Sequence, residues 1–135
     1  MLIKNRASLL AHGNIKGRQI VLDIIESGIA AADPYQSAKY LLRLDRNRLI
    51  IGHPDFSDPP GQGPQIIDLN KVNNIYVVGG GKAVQRQALA FEQVLGNRIT
   101  AGHINIKKGE DIVLQHIDVT LAGHPLPATR MTCIS

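Results

Sequence analysis

At 135 residues the chain has the size of one compact domain and can bury a core. Its 44% apolar and 19% charged residues exclude a disordered or fibrous chain, while 4% aromatics and no Trp call for an aliphatic core of Ile, Leu, Val and Ala. The net charge of +4 invites a polyanionic partner, but the Lys and Arg residues are scattered from Lys4 to Arg130 with no interleaved aromatics, so no nucleic-acid partner is expected.

The first ten residues carry Lys4 and Arg6 and no long apolar stretch, so they do not read as a signal peptide, and no window approaches the roughly 18 apolar residues of a membrane span. Asn5 can cap a short helix running to about His12, where Gly13 and Asn14 break it. From Gly17 onward Ile20, Val21, Ile24, Ile25 and Ile29 recur at helical spacing, which predicts an amphipathic helix. Asp33-Pro34 reads as a cap and a first-turn proline opening another helix, with Tyr40, Leu41 and Leu44 on its apolar side.

Asp45-Arg46-Asn47 reads as a turn and residues 49–51 as a short strand ending at Gly52. Residues 53–64 hold four of the seven prolines and read as an irregular loop within a domain, because strand signals resume at Ile66-Ile67-Asp68-Leu69. Ile75-Tyr76-Val77-Val78 is a continuous apolar run of the kind found in a parallel strand buried on both faces. It breaks into Gly79-Gly80-Gly81-Lys82, after which Val84, Ala88, Phe91, Val94 and Leu95 mark one face of a helix closed by Gly96. Further strands are expected at 103–107 and 117–121. Strand, helix, strand implies a right-handed parallel crossover and an α/β class: a Rossmann-like layered fold with a mostly parallel sheet and flanking helices.

Three glycines between a buried strand and a helix let the backbone turn tightly and approach a ligand, and the helix start adds free N–H groups and a positive dipole end. Lys82 adds a full charge at the same place. Gly79, Gly80, Gly81 and Lys82 are therefore candidate phosphate- or carboxylate-binding residues, although the same residues also suit a purely structural turn. A Walker A loop is excluded, since Tyr76 and Ala83 stand where it needs glycine and Ser or Thr; a dinucleotide fingerprint is excluded by Val84 at its third glycine position.

Of the five histidines, none has zinc-ligand spacing, and no metal-binding residues are assigned. His12, His53 and His116 read as exposed. His124, in Ala122-Gly123-His124-Pro125-Leu126-Pro127 after the last strand, either brings an imidazole to the sheet edge or sits in a structural proline turn. The lone Cys133 cannot form an internal disulfide, which fits a reducing, cytoplasmic location and an incidental thiol.

The segments Ile3-Lys4-Asn5-Arg6-Ala7-Ser8-Leu9-Leu10, Ala31-Ala32-Asp33-Pro34, Tyr76-Val77-Val78-Gly79-Gly80-Gly81-Lys82-Ala83, Leu95-Gly96-Asn97-Arg98-Ile99 and Ala122-Gly123-His124-Pro125-Leu126-Pro127 occur in an order that resembles the amino-terminal part of class II glycerate 2-kinases, also recorded as hydroxypyruvate reductases. The resemblance implies transfer of a phosphoryl group from ATP, with Mg2+, to the 2-hydroxyl of D-glycerate. It places Lys82 as the catalytic-site cation, and His124 beside the same cleft. Gly80 stands where the family usually has alanine. Residues 1–127 thus read as an incomplete α/β domain, and residues 128–135 as an unrelated-looking tail such as a truncation or frame change leaves. Exposed apolar surface at the missing parts would leave room for a homo-oligomer. A non-catalytic anion-binding or oligomerisation module and a hydroxypyruvate reductase are the alternatives.

Overall fold

The computed structural model describes residues 2–56, 63–109 and 111–123. His124 and the tail from residue 128 lie outside the described residues. The chain forms two compact units, Met1–Asp33 and Pro34–Ser135.

The first unit is a helical hairpin of α1 (Arg6–Leu9) and α2 (Ile15–Ala31). Asn14 caps α2, its side chain accepting from the Gly17 N–H at 3.0 Å, which ends the break read at Gly13 and Asn14. The Arg18 guanidinium donates to the Leu9 carbonyl at 3.0 Å and so closes α1. Arg6 pairs with Asp23 and with Glu26, the latter at 3.0 Å, and the Leu2 N–H donates to Glu26. These donors, the Leu2 N–H foremost, with Ile3 and Arg6, hold the Glu26 carboxyl below its usual range. The helix that the apolar spacing predicts is present, but the face packed on α1 is the one bearing Leu22. The Ile20, Val21, Ile24, Ile25 and Ile29 stripe stays open within this unit, with Ile24 66% exposed.

The second unit opens with α3 (Pro34–Leu41), where the Asp33-Pro34 signal placed it. The helix does not reach Leu44: residues Leu42–Asp45 form β1, paired antiparallel with β2 (Arg48–Ile51) from Leu42↔Ile51 to Asp45↔Arg48. Burial of Leu42 and Leu49 in the core outweighs the helical spacing that carried the prediction through Leu44. Strand β3 (Gln65–Asp68) adds antiparallel to β2, so a three-stranded meander exists beside the expected parallel sheet. The β1–β2 turn puts Arg46 at a φ of 54°, in the left-handed region that a side chain disfavours. Arg98 secures it, donating to the Asn47 Oδ1 at 2.8 Å and the Arg46 carbonyl at 3.3 Å. His53 is half-buried, not exposed, because its ring stacks on Tyr40 with centroids 4.3 Å apart.

The remaining elements are β4 (Tyr76–Gly80), α4 (Val84–Leu95), β5 (Ala101–Lys107) and β6 (Asp118–Ala122). The strands form a parallel sheet in the order β4-β5-β6, and the fold is α/β with helices flanking that sheet. One face of the sheet, through Val77, Ile104, Ile106 and Val119, packs with Ala88 and Leu95 of α4 and with Leu42, Leu49 and Leu69. Strand β4 was expected to be buried on both faces. It is not: it lies at the sheet edge, and Tyr76 is 64% and Val78 80% exposed, because α4 covers one face only.

The β5–β6 connection is not a helix but a strap along α4. The Gln85 Nε2 donates to the Asp111 carbonyl at 3.0 Å, and seven residues on the buried Glu92 carboxylate accepts from the backbone N–H groups of Gln115 (3.0 Å) and His116 (2.6 Å). Two polar side chains two helical turns apart thus supply the hydrogen bonds that a crossover helix would otherwise satisfy internally. No helix among the described residues is long and apolar enough to cross a membrane.

Candidate anion-binding bend

The glycine turn joins β4 to α4, as the spacing of apolar residues and glycines predicted. Two of its positions require glycine. A Cβ on Gly79 would lie 2.5 Å from the Val84 Cγ2, so a side chain there would push the helix start away from the strand. Gly81 turns the chain at a φ of 126°. The Gly81 N–H is not free for a ligand, because it donates to the Asn105 carbonyl at 3.2 Å and ties the bend to β5.

Ala83 occupies the N-cap without a side-chain hydrogen bond, and the Gln87 N–H is the first to reach a carbonyl of the turn, that of Ala83 at 3.2 Å. The N–H groups of Val84 and Gln85 are among the usual orphan donors of a helix start. The first turn of α4 contains no acidic residue, and Arg86 lies within it, its guanidinium carbon 5.4 Å from the centre of the Tyr35 ring. Dipole, helix-start donors and the Lys82 ammonium give this end of the helix positive character.

Lys82 is solvent-exposed and has no hydrogen bond or ion pair among the described residues. Within the first unit a concavity of about 360 Å³ is lined by Leu9, Asn14, Gly17, Arg18, Val21 and Leu22, and within the second unit one of the same volume is lined by residues of the β1–β2 turn with Asp68 and Asn70, not by Lys82. The bend is present with its charge, and Gly80, Gly81 and Lys82 are exposed. His124 cannot be placed beside it, since that residue lies outside the described ones. Among the described residues no cluster of three or more His, Cys, Asp or Glu is placed to hold a metal.

Sequence reasoning missed the polar residues on the open face of the parallel sheet. The register sets Gly80 beside Asn105, and Asn105 beside Thr120, whose Oγ1 is 2.9 Å from the His103 Nε2. The available signal was the alternation His103-x-Asn105-x-Lys107, which puts three polar residues on one face of a strand.

A parallel β4-β5-β6 sheet flanked by helices, with a glycine-lysine bend at the carboxyl end of its edge strand, makes this an α/β protein. Within that class, residues 20–132 match the family described as a domain of unknown function, DUF4147, and the chain belongs to that family. It is similar to the glycerate 2-kinase of Pyrococcus horikoshii, with 31% identity over 110 residues that make up 82% of this chain and 22% of the relative. A crystal structure of a Pyrococcus horikoshii protein superposes with a TM-score of 0.62 and 27% identity over 82% of this chain and 22% of the other. The chain spans about a fifth of the length of the relatives it matches, so the resemblance read from its residues is to one part of a glycerate 2-kinase.

Proposed function

We propose that this chain supplies the acid-binding bend of a glycerate 2-kinase-like phosphotransferase. In this reading Gly79, Gly80 and Gly81 let the backbone approach the ligand, and Lys82 neutralises the carboxylate of D-glycerate or the charge developing on a transferred phosphoryl group. ATP supplies the phosphoryl group when bound, with Mg2+, and the working compartment is the cytoplasm. By the family resemblance, His124 would share in binding the acid. The observation that carries the proposal is the join of β4 to an uncapped helix start with Lys82 and Arg86 at it and no acidic residue in the first turn. The bend stands open to solvent, so the chain by itself binds the acid weakly and does not complete transfer.

The test has two arms. A coupled assay of the 135-residue chain with D-glycerate, ATP and magnesium is expected to show no turnover; turnover lost in Lys82→Ala would refute the incompleteness. Titration of the isotope-labelled chain with D-glycerate, followed by amide chemical shifts, is expected to move Lys82 and the first turn of α4. Affinity should fall roughly tenfold in Lys82→Ala, the loss of one charge-assisted contact. Unchanged affinity would remove the bend from the site. A second reading, an oligomerisation module, is favoured by the uncovered Ile20, Val21, Ile24 and Ile25 stripe of α2; sedimentation equilibrium of the chain separates a monomer from a defined homo-oligomer. NADH oxidation with hydroxypyruvate is expected to be absent, because Val84 replaces the third glycine of a dinucleotide fingerprint.

A further inference from the structure

We propose that the outer edge of β4 pairs antiparallel with the same edge of a second copy of this chain, about a two-fold axis at Val78. The inference does not rest on the reading of the bend, and its surface is not the α2 stripe. Along a strand the backbone groups of successive residues point to opposite edges. In β4 the alternation is fixed from three sides. The Ile75 carbonyl accepts from the Thr100 N–H at 2.8 Å, the Gly81 N–H donates to the Asn105 carbonyl at 3.2 Å, and the Val77 carbonyl lies 2.9 Å from where a Cβ on Gly102 would stand. The odd-numbered residues thus face β5. The N–H and C=O groups of Tyr76, Val78 and Gly80 point the other way, where β4 has no strand beside it among the described residues.

The edge strands of the two sheets are not alike. Strand β1 carries Arg43 and Asp45, β3 carries Asp68 and β6 carries Asp118, charges of the kind that keep an edge from pairing. Strand β4 has no charge and no proline, and its register runs from Tyr76↔Ala101 to Gly80↔Asn105 without a bulge. The side chains of Tyr76 and Val78 stand exposed on its open face. Self-complementarity points to a second copy as the occupant. With Val78 opposite Val78 of the second copy, Tyr76 falls opposite Gly80, and Gly80 opposite Tyr76. Every outward-facing residue is then in a hydrogen-bonded pair that exchanges both N–H···O bonds. The axis carries a β-branched pair, and each tyrosine ring covers the gap over a glycine, cross-strand combinations that stabilise a sheet. No charged residue lies between Val72 and Gly81, so the two-fold axis brings no like charges together along the strand. A contact of this symmetry closes after two copies. Its footprint, two strands of 5 residues, lies below about 1,200 Å², so association is weak and reversible, with a dissociation constant on the order of 0.1 mM.

The test is sedimentation equilibrium of the 135-residue chain from about 10 µM to about 1 mM, with amide hydrogen exchange at both limits. A monomer–dimer equilibrium is expected, and exchange at Tyr76, Val78 and Gly80 should slow several-fold at the higher concentration. Val78→Pro removes an outward N–H and leaves the β5 ladder intact, as proline on an edge strand does, and should weaken the dimer at least tenfold. Val78→Lys, whose backbone is unaltered, should do the same by setting two ammonium groups across the axis, and it decides the matter even where the proline variant does not fold. Val78→Thr, which keeps the β-branch, retains the dimer, and so does Ile24→Lys on the α2 stripe. A monomer at every concentration, growth beyond a dimer, or exchange at Tyr76, Val78 and Gly80 that ignores concentration overturns the assignment. So does a dimer that survives Val78→Lys, or one that Ile24→Lys abolishes, which would move the contact to α2.

Discussion

The carboxylate of Glu92 is the strongest test of how the parallel sheet is held. It is 8% exposed and accepts from two backbone N–H groups of the strap, Gln115 at 3.0 Å to each oxygen and His116 at 2.6 Å. Hydrogen bonds to a charged group contribute about 1.5–3 kcal/mol each, and the two donors belong to exposed residues that water can partly serve once the acceptor is gone. Glu92→Ala should therefore cost about 3 kcal/mol, and Glu92→Gln, which keeps one acceptor oxygen, about half of that. With a urea slope near 2 kcal/mol/M the alanine variant moves the denaturation midpoint by about 1.5 M at unchanged slope, and its melting temperature falls by on the order of 10 °C. Gln115→Ala is the control, since its contribution is through the backbone, and it should stay within about 0.5 kcal/mol of the wild type. A Glu92→Ala midpoint within that margin would refute the claim that this carboxylate pins the crossover.

Three further outcomes follow from particular atoms. Gly79→Ala places a Cβ against Val84 and should destabilise by about 2 kcal/mol, with most of the loss recovered in the double variant with Val84→Ala, measured by chemical denaturation. Arg46→Gly relieves a left-handed φ of 54° and should raise stability by about 0.5–1 kcal/mol after the added freedom of the unfolded chain; a loss of stability would show that Arg46 makes a contact worth more than its strain. Glu26 has its carboxyl pKa lowered by the Leu2 N–H and Arg6, so its contribution is present above the usual glutamate value of about 4.3 and disappears as pH falls through the lower folded value. Acid titration of the α1–α2 unit by circular dichroism should show that loss in the wild type and not in Glu26→Gln.

The elements easiest to read were those whose local signals agree with their packing. The strand-glycine-helix segment around Gly79 combines an apolar run, a chain break and helical spacing, and the structure has it at that place. The β1 strand was hidden because Leu41 and Leu44 continue the spacing of α3; only the pairing with β2, which no local pattern reveals, turns the chain into a strand at Leu42. Glu92 and Gln85 lie outside the apolar set Val84, Ala88, Phe91, Val94 and Leu95, yet they are buried, because the strap they hold is an extended segment with no periodicity of its own. At the bend, the charge and the turn were legible and the exposure was not. Burial of β4 on both faces was inferred from its composition, whereas exposure depends on what lies over it.

That exposure governs how much the bend can do. Opposite unit charges 4 Å apart interact by about 1 kcal/mol in bulk water and by about 4 kcal/mol at the effective dielectric of a protein surface. Lys82 stands in the first regime: it is exposed, and no side chain among the described residues fixes its ammonium. A cation that stabilises a transferring phosphoryl group has to be both dry and preorganised, because the water it would otherwise hold must not reorganise during the reaction. In the proposed reading, the same helix start and the same lysine would serve weak acid binding and not transfer. Enclosure over the carboxyl ends of β4, β5 and β6 would raise the worth of every contact there without changing a residue of the bend. Adding apolar cosolvent to lower the dielectric should therefore strengthen D-glycerate binding to the wild-type chain more than to Lys82→Ala; equal strengthening of both would show that Lys82 is not the source of the attraction.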